Sequence, residues 1–225
     1  MWNDLIISVN GEDVLLDAHG AAYLPAHRTL IVGDLHFEKG SSYARSGQLL
    51  PPHDSRATLM KLAEAAARHR PAMIVALGDS FHDREAGSRL GAEERQMLAA
   101  LAQTADFTWI AGNHDPQAPD WLIGHRAQEI ALGGLTLRHE PHATLHLGEV
   151  AGHLHPCASV AKWGRSVRRR CFVSDGLRLI LPSFGAYTGG LDVRETPISS
   201  LFAGPFHAYM LGSRRVYAIA QKKSA

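Results

Sequence analysis

Three short runs of nearly continuous apolar residues punctuate the first half of the chain: Thr29–Val32, Met73–Leu77 and residues 107–111. Runs of that length without polar alternation fit strands buried on both faces. Two stretches with helical spacing lie between them. Residues 54–69 place Leu59, Leu62, Ala63 and Ala66 on one stripe, with Asp54 or Ser55 as the expected cap and Pro71 beyond the end. Residues 91–103 place Met97, Leu98 and Leu101 inward. The order β-α-β-α-β predicts parallel strands joined by helical crossovers. Ahead of them, residues 6–9 and 14–17 flank Asn10-Gly11, a pair suited to a tight turn between strands.

The second half has another rhythm. Short strands are expected at 127–132, Leu135–Arg138, 146–151, 171–173, 177–181, 208–211 and 216–220, with turns at Gly133-Gly134 and Asp175-Gly176. This predicts a second, more antiparallel sheet. Two mixed sheets face to face with helices outside make an α/β protein, an αββα four-layer sandwich. The chain of 225 residues, 45% hydrophobic, can build one such core, so a single domain over 1–225 is expected. Residues 222–225 read as a frayed tail.

Composition adds a few constraints. The formal charge of +1 gives no global basic field. Cys157 and Cys171 lack C-x-x-C spacing and read as reduced thiols. The N-terminus has no basic region before an apolar stretch, and no apolar run approaches about 18 residues. A soluble, cytoplasmic protein with no membrane span is expected. The chain has 14 histidines, of which His19, His27, His69, His125, His142, His146 and His207 have no evident task.

Five of the remaining histidines fall into an ordered series. Asp34-Leu35-His36 follows the first apolar run, Gly78-Asp79 the second, and Gly112-Asn113-His114-Asp115 the third. A lone His139 and Gly152-His153-Leu154-His155 come later. Each motif alone is weak: D-x-H is common, and Gly-Asp is a turn pair. Together they supply enough oxygen and nitrogen donors for two adjacent divalent metals. Ions about 3.5–4 Å apart activate a shared water near neutral pH and favour in-line displacement at phosphorus. A carboxylate can bridge two cations and an imidazole cannot, which makes Asp79 the natural bridge. Mixed nitrogen and oxygen donors suit Mn²⁺, Fe or Zn²⁺ better than Ca²⁺ or Mg²⁺.

This order of motifs resembles the calcineurin-like metallophosphoesterase superfamily from Asp34 to His155. The strings Asp34-Leu35-His36-Phe37-Glu38-Lys39-Gly40, Gly78-Asp79-Ser80-Phe81-His82-Asp83 and Pro182-Ser183-Phe184-Gly185-Ala186-Tyr187-Thr188-Gly189-Gly190-Leu191 resemble one branch of it. That branch is the bacterial ligase-associated DNA-damage-response endonucleases, which are manganese-dependent phosphoesterases. The resemblance implies one metal on Asp34, His36, Asp79 and His155, and a second on Asp79, Asn113, His139 and His153. It implies that His114 points into the cleft, binding a phosphate oxygen or protonating the leaving alkoxide, with Asp115 orienting it. His82 is expected either at the substrate phosphate or behind the ligands. The activity implied is cleavage of single-stranded DNA by a metal-bridging hydroxide, with Mn²⁺ preferred, alongside a DNA ligase, an exonuclease and a helicase.

Substrate class also has signals of its own. Residues 162–178 hold Lys162, Arg165, Arg168, Arg169, Arg170 and Arg178 against Asp175 alone. This segment begins soon after His155 and is expected to guide nucleic acid past Arg165, Arg168, Arg169 and Arg170, with Trp163 stacking a base. The alternative is a solvated loop. No insertion between motifs forms a cap, which leaves room for a polymer. Residues 182–191, with Gly185, Gly189 and Gly190, either shape the cleft or form a surface turn. A small-molecule phosphodiesterase or nucleotide pyrophosphatase on the same site stays open. A non-catalytic scaffold is disfavoured by the complete ligand set and His114.

Overall fold

The computed structural model describes residues 4–51, 53–162 and 164–221. The expectations for Trp163 and for the tail at 222–225 lie outside the described residues. In the first half, β1 (Leu5–Val9), β2 (Glu12–Leu16), β3 (Ala22–Leu24) and β4 (Thr29–Val32) precede α1 (Lys39–Arg45) and α2 (Asp54–His69). Then come β5 (Met73–Leu77), α3 (Ala86–Arg89), α4 (Ala92–Ala102), β6 (Asp106–Ile110) and β7 (His125–Ala127). These strands form one sheet in sequence order, antiparallel from β1 to β4 and parallel from β4 to β7.

The second sheet contains β8 (Glu129–Leu132), β9 (Leu135–Arg138), β10 (Glu149–Ala151), β12 (Arg165–Ser174), β13 (Arg178–Ile180), β14 (Phe206–Leu211) and β15 (Val216–Gln221). Its order is β15-β14-β12-β13-β10-β9-β8, and β11 (Cys157–Lys162) joins it by pairing with the outer half of β12. The strand expected at 127–132 is two strands. The chain changes sheets at Gln128, so β7 closes the first sheet and β8 opens the second.

The central strands explain the apolar runs. Leu30, Val32, Ile74, Ala76, Phe107 and Trp109 face α2 and α4, packing on Leu59, Leu62, Leu98 and Leu101. Their neighbours Ile31, Val75, Leu77 and Ile110 face the other sheet, against Leu137, Val150, Phe172 and Leu179. A strand that must be apolar on both faces shows no alternation. The outer face of the second sheet is covered by α5 (Thr196–Ser199) with Leu201 and Phe202. The fold is therefore the expected αββα sandwich, with one short helix in its fourth layer among the described residues.

One local expectation is corrected. Neither Asp54 nor Ser55 caps α2; the N-cap is His53, at φ 68°. Both side chains serve the start of α1 instead. Asp54 accepts from the Gly40 N–H at 3.0 Å, and the Ser55 hydroxyl donates to Glu38 at 2.9 Å. Among the described residues no helix is long and apolar enough to cross a membrane. Cys157 and Cys171 are free and buried.

Candidate metal centre

Parallel neighbours end side by side, so the turns after β4, β5 and β6 bring Asp34, Asp79 and Asn113 together without any long-range search. The turns after β9 and β10, also parallel neighbours, deliver His139, His153 and His155 from the facing sheet. Backbone bonds stitch the turns: His36 N–H donates to Asp79 O at 2.9 Å, and Gly152 N–H to His139 O at 3.0 Å.

The backbone here is strained. Asp34, His36, Asp79, His153 and His155 all have positive φ, between 46° and 68°. This region is costly for residues with a Cβ, and concentration of the strain on candidate ligands marks a functional site. Two glycines are also required by close approach. A Cβ on Gly78 would sit 2.6 Å from the His139 ring, and one on Gly112 would sit 2.1 Å from the Asp79 nitrogen.

The donors gather in two clusters that include a carboxylate, Asp34–His36–His155 and Asp79–His139–His153, and in a third group, His36–His82–His114, that is imidazole alone. In the first, His155 Nε2 lies 3.1 Å from Asp34 Oδ1 and 3.4 Å from His36 Nε2. In the second, His139 Nε2 lies 3.4 Å from Asp79 Oδ1, 3.1 Å from His153 Nδ1 and 2.9 Å from Asn113 Oδ1. Asp79 spans both: its other oxygen, Oδ2, is 4.0 Å from His36 Nε2.

The second cluster tests the fit to a cation. His139 Nδ1 donates to the Leu77 carbonyl at 2.8 Å, so the neutral ring has a bare lone pair on Nε2. That lone pair faces the oxygens of Asp79 and Asn113. Facing acceptors repel unless a positive charge sits among them. Burial disfavours the imidazolium, yet the Asp79 hydrogen bond and the Asp34 charge outweigh it and push His139 up to about 9. Asp79 mirrors this: burial alone would raise it, but His139 and the His114 N–H hold it at about 2. The site calls for a cation, and its clusters of histidine and aspartate are consistent with a binuclear metal centre.

One sequence expectation changes around His114. Asp115 does not orient it. The Asp115 carboxylate is buried and accepts from Phe81 N–H at 3.0 Å and Gly112 N–H at 3.2 Å, tying the turns after β5 and β6 together. Burial, helped by the Asp79 charge, raises Asp115 to about 7. His114 is oriented instead by the His82 carbonyl, which accepts from its Nδ1 at 2.8 Å. The His114 ring is 41% exposed, stacks on His82 at 5.4 Å and meets the His36 ring edge-on at 5.2 Å. His82 itself lies 3.4 Å from His36, Nδ1 to Nδ1. Burial, with the Lys39 and His114 charges, holds His82 down at about 4.

The basic segment is not a loop. β11 and β12 pair antiparallel, and the alternation along β12 splits the arginines. Arg168 donates to Gly190 O at 2.6 Å, while Arg170 donates to Ser183 O at 2.8 Å and Gly185 O at 2.7 Å. These two brace the 183–190 segment. Arg165 and Arg169 are exposed. Arg178 is fully buried, 3.3 Å from Glu149, and belongs to the core rather than to a basic surface. Of residues 182–191, for which cleft-shaping and a surface turn were both open, 182–185 are buried, because Phe184 packs into the core and Gly185 N–H donates to Asp34 O at 3.0 Å, while Tyr187 and Gly189 are exposed.

Sequence reasoning assigned no task to Lys39, Tyr43 or Glu140. The structure sets Glu140 3.6 Å from His153 Nε2, and Lys39 and Tyr43 beside His82. The available signal was adjacency to His139 and to His36. An open hollow of about 420 Å³ is lined by Asn113 and His139, so a nucleotide-sized group has room beside the second cluster.

Comparison with known proteins agrees with this geometry. The family described as calcineurin-like phosphoesterase matches residues 27–179, more than half of the chain. The crystal structure of a Pseudomonas putida nuclease, MPE, is similar at 29% identity, covering 96% of this chain and 100% of that one, with a TM-score of 0.75. A protein of unknown function from Aquifex aeolicus matches at 15% identity over 56% of this chain and 78% of its own, with a TM-score of 0.39, too partial to carry an argument. No curated protein matches. The strand-end carboxylates, the paired clusters and the match over residues 27–179 lead to one conclusion: the chain belongs to the calcineurin-like phosphoesterase family.

Proposed function

We propose that this metallophosphoesterase is an endonuclease that cuts single-stranded DNA in DNA repair, with two divalent ions, Mn²⁺ foremost. The observation that carries the reading is Asp79, with one oxygen toward each cluster, in a chain similar along nearly its whole length to a nuclease. Asp34, His36, Asp79 and His155 would hold one ion, and Asp79, Asn113, His139 and His153 the other. When bound, the pair supplies Lewis-acid activation of the phosphodiester and of water at neutral pH.

The other residues position and protonate. His114 Nδ1 is committed to the His82 carbonyl, which leaves Nε2 on the exposed edge of the ring. As an imidazolium it donates from Nε2 to a phosphate oxygen or to the leaving alkoxide. The His82 ring, wedged between His36 and His114, limits where the phosphate can sit. Arg165 and Arg169 attract the strand, whereas Arg168 and Arg170 act through the 183–190 segment they brace. A single strand suits the recessed donors because it bends more readily than a duplex. The same reading places the enzyme in the cytoplasm, working beside a DNA ligase, an exonuclease and a helicase.

The test is a nuclease assay on metal-stripped protein, with each divalent metal restored in turn, on single- and double-stranded DNA and RNA. Mn²⁺-dependent cutting of single-stranded DNA is expected. Turnover of cyclic nucleotides or dinucleoside polyphosphates without DNA cleavage would replace this reading with a small-molecule phosphodiesterase.

A further inference from the structure

The corner where α1 meets the metal centre holds three cations, and two are matched. Arg45 pairs with Glu85, and Arg89 pairs with Asp83 at 2.6 Å. Lys39 is the exception. It is only 9% exposed, and among the described residues its ammonium has no ion pair or hydrogen bond. Asp54 attracts it without pairing, and that carboxylate already accepts the Gly40 N–H. The Lys39 stem is buried, but its ammonium is only half screened from water and carries no counterion. A cation so placed is open to a negative charge brought beside it.

The surroundings say where that charge would come from. Lys39 lies 5.6 Å from the centroid of the Tyr43 ring. Tyr43 lies 5.6 Å from the His82 ring, and His82 in turn touches His36 and His114. Lys39 and Tyr43 therefore stand one imidazole away from the phosphate-cleaving centre, on the side carried by the first sheet. Tyr43 is half-buried, with part of its ring open to solvent.

We propose that Lys39 and Tyr43 form a subsite for the nucleotide next to the one being cleaved, with the ammonium on its phosphate and the tyrosine ring against its base. The inference rests on the nuclease reading, because it requires a substrate with a second phosphate. A bound phosphate matches the unpaired cation, and base stacking on an aromatic ring is tolerant of sequence. A substrate with one phosphodiester would leave this subsite empty.

The test compares Mn²⁺-supplied full-chain protein on a thymidine dinucleotide, which has one phosphodiester, and on an oligothymidylate. Lys39→Met keeps the buried stem and removes the charge. The ratio of kcat/KM on the oligomer to that on the dinucleotide is expected to fall about tenfold, with the loss in KM, as one charged phosphate contact would give. Lys39→Arg is expected to recover most of the ratio. Tyr43→Leu is expected to lower it by about fivefold or more, the size of one stacking contact. Should Lys39→Met fail to fold, as read by thermal unfolding, Lys39→Gln and Tyr43→Leu carry the same comparison. An unchanged ratio, with the wild type cutting the oligomer, overturns the subsite and leaves the nuclease reading standing. Equal losses on both substrates overturn it as well, since Lys39 then only supports the His82 region. Wild-type turnover of bis-p-nitrophenyl phosphate without cleavage of either nucleotide substrate overturns the nuclease reading and the subsite with it.

Discussion

The two donor clusters share Asp79 yet differ in the proton they hold. In Asp34–His36–His155, burial, followed by the His155 charge, drives His36 down to about 2, so its ring is neutral at any working pH. In Asp79–His139–His153, His139 is pushed up to about 9 and keeps an extra proton. The cause is the company each ring keeps. His36 is surrounded by the rings of His82, His114 and His155, whereas His139 faces two carboxylates. An ion entering the first cluster finds a bare lone pair on His36, while one entering the second must displace the His139 proton.

The largest test of this contrast removes what the clusters share. Asp79→Ala is expected to lower turnover by about 10³-fold or more, the scale of several kcal/mol of metal-ion stabilisation, and to reduce bound metal. Steady-state kinetics and metal per chain measure it; near-wild-type turnover would end the binuclear reading. Next in size is His114→Ala, which is expected to cost about 10²–10⁴ in kcat while both ions stay bound. A smaller loss on a p-nitrophenyl ester would assign it to leaving-group protonation. Metal loss in this variant would make His114 a ligand.

The third test is pH. His139 has a folded pKa raised above the ordinary value of 6.5. Its contribution to stability is therefore complete below pH 6.5 and is lost as pH rises through about 9. Metal-stripped protein should lose thermal stability across that window, and His139→Gln should flatten the slope. Metal affinity at the second cluster should rise by about tenfold per pH unit over the lower part of the same range and level off as pH passes about 9, one proton being displaced. Identical pH dependence at both clusters would dissolve the distinction. The smallest effect is expected at the β11–β12 pair, far from this chemistry. Arg165→Ala with Arg169→Ala should flatten the salt dependence of single-strand binding by about 0.7 log units per contact. An unchanged slope would return these side chains to a solvated face.

The chain's own pattern determined a good deal of this. Continuous apolar runs at Thr29–Val32 and Met73–Leu77 announce strands buried on both faces, and strand-helix alternation makes them parallel neighbours. Once that is known, the convergence of Asp34, Asp79 and Asn113 follows, because each stands just past a strand end. Local periodicity and short connections are written in neighbouring residues, so they can be read there.

What only the tertiary structure decided concerns partners far apart in the chain. Arg178 looks like its fellow arginines in sequence, yet Glu149 and the carbonyls of His142, Thr144 and Leu201 bury it. Asp115 is adjacent to His114 but serves Phe81, and Asp54 leaves α2 uncapped because the Gly40 N–H in the first turn of α1 claims it. Gln128 carries no mark of the point where one sheet passes to the other. Lys39 stands without an ion pair among the described residues, because Asp54, the carboxylate that attracts it, accepts the Gly40 N–H. In each case the deciding fact is which buried polar group would otherwise go unmatched. Desolvation makes that cost large, and it is settled by whatever the folded chain brings within hydrogen-bond reach.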